Sequence, residues 1–435
     1  MTSDSPIVRI VAATLPRKGW RRNQLAVNIA AGLVFFGFTL VMPFLPLYVA
    51  ELGVKGVGKI ALWSGVILSV PPLLAAVLGP FWGRVGDRYG MKLMVLRVLT
   101  TMTVIWGLMC FAFNVYHVLF LRILLGIFSG FSAMSAALVT QSCPPDRIGR
   151  AIGSLQASQI LSTAAGPLVR GILYALIGIR NAFLVTSGLC LVALALIAAL
   201  YRDAPRQDFP AEPAPRGMTG PRSRWAELRT LPGFLPLLPC LFLMNLVDRS
   251  FASVIPLFVQ SLIGDSPETV AAVSGAIVTF QALAAAFSAY LLGRLAARQR
   301  PRRILVAILA GGAMTALLMV FCRTTEEFLT LRVLSGLLTG GAITLGYSVG
   351  GAGLPAARRS SLYGILSSAT LLGGAVGPLA SGILVGISLR APFFASTLTY
   401  LALIPWVAVS LANLSPIPRP LETPLELGTR PVNQA

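Results

Sequence analysis

The chain has 435 residues, of which 56% are hydrophobic and only 11% are charged. Soluble proteins carry roughly a quarter charged residues, so this composition argues against a soluble enzyme or binding domain. The formal net charge of +20 would suggest a nucleic-acid partner in a soluble protein. Whether it does so here depends on where the positive side chains lie relative to the apolar segments.

Long apolar runs divide the sequence. About 20 residues of helix cross the hydrocarbon of a bilayer, and every backbone polar group must be bonded inside the segment. The pattern predicts twelve such helices, at residues 24–50, 60–82, 93–113, 117–140, 152–178, 182–201, 233–262, 269–292, 304–322, 328–350, 361–387 and 392–412. The predicted fold class is an all-α membrane protein.

The positive side chains are unevenly distributed between the two sides of these helices. With the N-terminus inside, 25 of the 35 Lys and Arg residues face the cytoplasm and five lie in the opposite loops. This is the asymmetry of a multi-pass inner-membrane protein, and it places both termini in the cytoplasm. The lipid bilayer is therefore the predicted partner, and nucleic acid is not.

Metal and cofactor signatures are not found. The five cysteines form no CxxC pair and no metal-ligand spacing, and the single histidine, His117, stands at a helix end. The sequence has no GxxxxGK[ST] loop, which argues against transport driven by ATP. We predict no cofactor, no metal and no enzymatic activity.

An internal repeat organises the chain. The segment 82–92, WGRVGDRYGMK, recurs as residues 293–302, with Asp87 replaced by Ala297. At the same offset of 210 residues, 46–52 matches 256–262 and 121–126 matches 331–336. The repeat predicts two parallel six-helix bundles, one of the recurring layouts of transporters.

The repeat also predicts the domains. They are a cytosolic tail (1–23), a first bundle (24–201), a cytosolic linker (202–232), a second bundle (233–412) and a second cytosolic tail (413–435). The linker is rich in proline and arginine and has too little apolar surface to fold alone. The two bundles are expected to superpose, with Asp87 and Ala297 at equivalent cytosolic positions.

Two helices share a spacing of small residues. Predicted helix 5 carries Gly153, Ser162, Gly166-Pro167 and Arg170-Gly171, and predicted helix 11 carries Gly364, Gly373, Gly377-Pro378 and Ser381-Gly382. Small residues let helices approach closely, and a proline frees a carbonyl so that the helix can bend. The alternative interpretation is the generic small-residue packing of membrane helices.

Together these motifs resemble the major facilitator superfamily. They are segment 82–92 with its repeat, Arg122 with its following glycines, and the paired Gly-Pro helices. Within that superfamily the chain is similar to the twelve-helix drug:proton antiporters, and segment 41–97 is most similar to bacterial multidrug exporters of the MdtG type. The resemblance spans residues 24–412 and implies two parallel six-helix repeats.

The resemblance assigns roles to three sets of residues. It implies a cytosolic latch between the halves at Gly83, Asp87, Arg88, Gly90 and Lys92, although Met91 departs from the usual basic residue. It implies an antiporter motif at Gly153, Gly166, Pro167, Gly171, Gly373, Gly377 and Pro378, and links Arg122 to proton coupling. For the latch segment the alternative is a topology signal alone, but that reading gives Asp87 no purpose.

Asp248 is the one acid near the middle of an apolar run. Ionisable groups at this depth are costly and usually line a cavity or pair with one another. Asp248 is therefore a candidate proton carrier; the alternative is a static ion pair with Arg249, Arg122 or Arg170. Together, Arg122, Arg170, Arg249 and Arg332 predict a positive cavity that favours anionic or zwitterionic substrates, unless some of them reach a helix end instead.

The predicted function is secondary active transport: export of small amphipathic molecules or drugs in exchange for protons, by alternating access of a monomer. A proton-coupled importer is the first alternative, against which the Gly-Pro motif argues. A non-transporting membrane receptor or assembly protein is the second, against which the buried ionisable residues argue.

Overall fold

The computed structural model describes residues 19–144, 147–202, 234–264, 266–296, 301–343, 345–346 and 359–411. Both predicted tails beyond these ranges, most of the predicted linker and Ala297 lie outside the described residues. The domain boundaries and the predicted equivalence of Asp87 and Ala297 therefore stay predictions.

The described chain is helical. In order, the elements are α1 (Trp20–Val41), a 3-10 turn η1 (Met42–Phe44), α2 (Leu45–Glu51), α3 (Val57–Tyr89), α4 (Met91–Cys110), α5 (Val115–Ile127), α6 (Phe131–Ser142), α7 (Ile148–Leu200), α8 (Phe234–Ile263), α9 (Pro267–Ala296), α10 (Pro301–Val320), α11 (Thr325–Thr339), α12 (Arg359–Val385) and α13 (Ala391–Ser410). Ten helical segments of the described chain are long and apolar enough to span a membrane. The fold is that of an all-α, multi-pass membrane protein.

Two of the predicted spans are not separate helices with the predicted ends. The run 152–178 lies within α7, which continues through Gly178 (φ 72°) to Leu200, so predicted helices 5 and 6 are joined at one non-helical residue. The run 328–350 begins in α11, but residues 347–350 lie outside the described residues. A single glycine is enough for the first junction because it adopts positive φ without a steric penalty.

Breaks also occur inside predicted helices. The run 24–50 is divided into α1, η1 and α2, where Pro43 and Pro46 each lack a backbone N–H. The run 117–140 is divided into α5 and α6 before Gly130, whose φ is 121°. Discontinuous membrane helices are favoured places for binding sites, because they expose backbone groups that the helix would otherwise use.

The predicted turn at 82–92 is much shorter than expected. The helix α3 runs on to Tyr89 and α4 begins at Met91, so Gly90 alone reverses the chain, with φ 97°. Gly83 is helical and does not contribute to the turn. A glycine inside a helix keeps its backbone N–H, unlike a proline, so α3 continues through Gly83 without losing a hydrogen bond.

Helix packing repeats between the halves. The contacts of α7 with α1 and α4, and of α3 with α5, occur again as those of α12 with α8, α13 with α10, and α9 with α11. The halves meet where α3 packs on α12 and α7 packs on α9. The same pairings in the same order are what two parallel six-helix repeats require.

Glycines bring α3 and α12 together at one end of the bundle, here called the closed end. A Cβ atom added to Gly58 would lie 3.1 Å from the Cα atom of Gly386, and one added to Gly382 would lie 2.6 Å from the Ala61 carbonyl oxygen. The Ser69 hydroxyl accepts a hydrogen bond from the Leu379 amide at 3.1 Å. Backbone contact of this kind leaves no room for a passage between the two helices.

Burial falls toward the opposite end, here called the open end. In α3, Ala61, Ser64, Ile67 and Ser69 are buried, whereas none of residues 72–79 is. In α9, six residues between 270 and 279 are buried, but only Ser288 is buried between 280 and 289. The helices between the halves are therefore packed tightly at the closed end and loosely at the open end.

We expect Gly382→Leu to open the closed end, because its side chain would displace the Ala61 backbone. Overpacking costs about 1–3 kcal/mol, enough to raise an open population about 5- to 150-fold. Labelling of Ser69→Cys by a membrane-impermeant thiol reagent measures this. The five native cysteines are buried and give little background.

Gly188→Leu is the matched control, because a Cβ atom there meets nothing within 4 Å. Equal labelling rates in the Gly382→Leu and Gly188→Leu proteins would show that the α3–α12 contact does not hold this end shut.

Candidate functional site

Asp248 lies at the middle of α8, the helix that packs against most of the others. Its side chain is 51% exposed, and its Oδ2 atom lies 3.9 Å from Nε of Arg249, which is 59% exposed. On the closed-end side, residues 253–259 are all buried, so α8 is covered on every face there. The two charged side chains therefore lie on the exposed part of α8, next to its fully covered segment.

Arg332 lies beside this pair, on α11. It is 2% exposed, contacts Oε1 of Gln281 on α9 through Nη2, and holds its guanidinium carbon 4.3 Å from the centre of the Phe251 ring. Phe251 follows Asp248 by three residues on α8, so Arg332 and the carboxylate lie near the same side of that helix. A buried guanidinium held by one amide and one ring is only partly neutralised, which makes it sensitive to a nearby carboxylate.

Arg122 is the equivalent arginine of the first half. It is 1% exposed, its Nη2 atom lies 2.9 Å from Met42 Sδ, and its guanidinium carbon lies 5.0 Å from the Trp106 ring centre. Its Nε atom has no hydrogen-bond partner. Arg122 and Arg332 are thus buried between helices in this conformation. Of the other two predicted cavity arginines, Arg249 is exposed, and the side chain of Arg170 lies outside the described residues.

The predicted latch segment is described except for one side chain. Nζ of Lys92 donates to the carbonyl of Tyr201, at the C-terminal end of α7, over 2.7 Å, and Arg88 lies over the Tyr89 ring at 5.5 Å. The side chain of Asp87 lies outside the described residues. The Lys92 bond joins two helices of the first half, and a cation there also suits the negative end of the α7 dipole.

The predicted antiporter motif falls at two close helix approaches. Gly166 faces Thr39 of α1, and in the second half Gly377 faces the Leu246 carbonyl and Gly373 the Phe242 carbonyl, both on α8. A Cβ atom added to Gly153 would meet nothing, so this glycine is not needed for packing. The surroundings of Pro167, Arg170 and Gly171 lie outside the described residues.

One cluster was not predicted from the sequence. At the break between α5 and α6, Nε1 of Trp82 donates to the carbonyl of Ile127 over 2.7 Å, and Arg97 Nη2 lies 3.5 Å from the carbonyl of Phe128. Arg97 is stacked over Trp82, 3.4 Å from the ring centre. Two carbonyls at the end of α5 are thus capped by side chains of α3 and α4.

A polar seam between α1 and α7 was also missed. Nε2 of Gln24 donates to Asn28 Oδ1 and to Ser154 Oγ, and Ser158 donates to the backbone carbonyl of Asn28 over 2.7 Å. Asparagine and glutamine inside predicted membrane helices were the available signal, because such amides need partners in a medium without water.

Comparison with known proteins identifies the family. The Major Facilitator Superfamily profile matches residues 27–326 and 269–434. A protein of Serratia proteamaculans named multidrug resistance protein MdtG is 34% identical over 321 residues, covering 74% of this chain and 77% of that protein. A Lactococcus lactis multi-drug resistance efflux pump PmrA homolog is 31% identical, covering 89% and 94%.

Solved structures agree on the fold. An inward-facing, unoccupied bacterial homolog of the human lysosomal transporter Spinster superposes with a TM-score of 0.68 at 15% identity, covering 91% of this chain and 96% of that one. The human organic anion transporter MFSD10 gives 0.61 at 18% identity, covering 89% and 99%. The chain belongs to the major facilitator superfamily of secondary transporters.

Proposed function

We propose that the protein exports small amphipathic molecules or drugs across the cell inner membrane in exchange for protons. The observation that carries this proposal is the exposed Asp248–Arg249 pair at the centre of α8, in the space that narrows toward the closed end. The names of the MdtG and PmrA relatives, which are multidrug resistance and efflux proteins, support export of drugs.

Alternating access accounts for the uneven packing. With both termini in the cytoplasm, as the positive-inside asymmetry indicates, the closed end faces outward and the open end faces the cytoplasm. The conformation would then be the one that takes substrate from the cytoplasm, and separation of α3 from α12 would release it. The likeness to an inward-facing transporter supports this assignment.

Asp248 is the proposed proton carrier. A carboxyl group in a space that opens to each side in turn can bind a proton on one side and lose it on the other. Desolvation favours its neutral form and a nearby arginine favours its charged form, so a change of neighbours loads or releases the proton. Arg122 is proposed as a second coupling residue, since it is buried without a carboxylate partner among the described residues.

The substrate is proposed to be zwitterionic or anionic. Asp248 and Arg249 offer one charge of each sign within 3.9 Å, which favours a molecule with both charges. An anion would bind when Asp248 is protonated, because Arg249 then remains as the unmatched charge. The remaining proposed partners are the bilayer and protons, and the protein is proposed to work as a monomer.

Asp248→Asn is expected to abolish uphill efflux while sparing substrate binding. One proton supplies about 2.3 kcal/mol per 100 mV of membrane potential, so an uncoupled protein loses concentrative power but still equilibrates its substrate. Efflux of a fluorescent anionic dye from proteoliposomes with an imposed pH gradient measures this loss. Asp248→Glu keeps a carboxyl group and should shift the pH optimum, whereas full uphill efflux by Asp248→Asn would mean that the proton takes another route.

Asp87→Asn tests the proposed latch. Only a charge is lost, so folding and expression should be retained while transport falls severely. The control is Tyr89→Phe, which keeps the ring that lies under Arg88 in the same segment. If the Asp87→Asn protein transports as fast as the Tyr89→Phe protein, the segment serves topology alone.

A further inference from the structure

The two halves place different groups around their equivalent arginines. At the offset of 210 residues, Gln281 corresponds to Pro71, Asp248 to Phe38 and Arg332 to Arg122. The second half thus adds an amide and a carboxylate where the first half has a proline and a phenylalanine. Arg122 has a methionine sulfur as its contact, whereas Arg332 has Oε1 of Gln281.

A glycine brings Gln281 within reach of Arg332. Gly336 stands one turn after Arg332 on α11, and a Cβ atom added there would lie 2.5 Å from the Gln281 carbonyl oxygen and 3.1 Å from Gln281 Cγ. The backbone of α9 therefore passes directly over Gly336. This close approach fixes the side chain of Gln281 against the guanidinium, so their contact is built into the packing of α9 on α11.

Arg332 has two possible acceptors. Gln281 Oε1 is in contact with Nη2 in this conformation, and Asp248 lies one turn before Phe251, whose ring covers the same guanidinium. Among the described residues the cation within 4 Å of Asp248 is Arg249, not Arg332. Arg332 thus donates to a neutral amide oxygen in this conformation. A deprotonated carboxylate would accept the same hydrogen bond more strongly.

No other described group competes for Asp248. The charged or titratable neighbours are Arg249 on α8, Arg332 on α11 and Tyr400 on α13. Residues 269–289 of α9, 365–385 of α12 and 60–83 of α3 contain no titratable side chain, nor does η1. The α2 helix carries Tyr48 and Glu51 at the closed end.

We propose that Gln281 is a positioning residue for proton coupling: it holds Arg332 away from Asp248, so that the carboxylate binds a proton, and releases Arg332 to the carboxylate when the proton leaves. This inference rests on the proposed role of Asp248. Gln281 is a neutral acceptor that Arg332 can exchange for the Asp248 carboxylate. In the first half, Pro71 takes the place of Gln281, so Arg122 has no such amide.

Protonation of Asp248 can be followed without a substrate. Infrared difference spectra of the purified protein, titrated with acid and base, report the C=O stretch of a protonated carboxyl group. The band that disappears in Asp248→Asn belongs to Asp248. Its midpoint against pH is the quantity to compare between variants, and protons are the only ligand added.

Gln281→Leu should move this midpoint about one pH unit or more toward acid. Arg332, without its amide, would pair with the carboxylate and stabilise the charged form. Gln281→Glu keeps an acceptor of the same reach, so its midpoint should not fall below that of the parent; the Gln281→Glu/Asp248→Asn double variant identifies the added carboxyl band. Gln260→Leu, at an exposed glutamine of α8, controls for loss of an amide.

The outcomes separate the two proposals. An Asp248 band with the same midpoint in the parent and in Gln281→Leu would overturn the role of Gln281 and leave the proton site standing. A parent protein without any Asp248 band would overturn the proton site, and the role of Gln281 with it. A midpoint that falls equally in Gln281→Leu and Gln260→Leu would also contradict the proposal.

Discussion

The backbone contact between α3 and α12 is the constraint on which the rest of the arrangement depends. In lipid, apolar side chains gain no hydrophobic free energy by leaving the lipid chains for one another, so helices associate through close packing and hydrogen bonds. Gly58 and Gly382 supply that packing, and Ser69 supplies one hydrogen bond to the Leu379 amide. An interface built from so few polar contacts can separate without leaving buried groups unpaired, as a gate must.

The α12 helix serves two interfaces at once. It faces α3 of the other half through Gly382, and it faces α8 of its own half through Gly373 and Gly377. The second interface has added polar bonds, from Asn245 Nδ2 to the Thr370 carbonyl at 2.6 Å and between the hydroxyls of Ser253 and Ser381 at 2.8 Å. Separation of the halves would therefore carry α12 away together with α8, and Asp248 would move with the gate.

Periodicity and repetition predicted the class of fold, because membrane helices need long apolar runs and because residues 82–92 and 293–302 share a pattern. The exact breaks were not predictable in the same way. Gly83 and Gly90 look alike in sequence, yet only Gly90 has positive φ. The position of Asp248 near the middle of an apolar helix could be predicted from the sequence. The contact of Arg332 with Gln281 could not, since it depends on how closely α9 crosses Gly336.

Rocking of two rigid halves would leave Gln281 and Arg332 together, because α9 and α11 belong to the same half. A change of partner for Arg332 therefore needs movement inside that half. The α8 helix can bend near Asp248, because Pro239 and Pro256 lie on either side of it and each removes a backbone hydrogen bond. Bending between these prolines would turn Asp248 toward Arg332 while the closed end of α8, residues 253–259, stays packed. Local bending of α8 would in this way couple protonation of Asp248 to separation of α3 from α12.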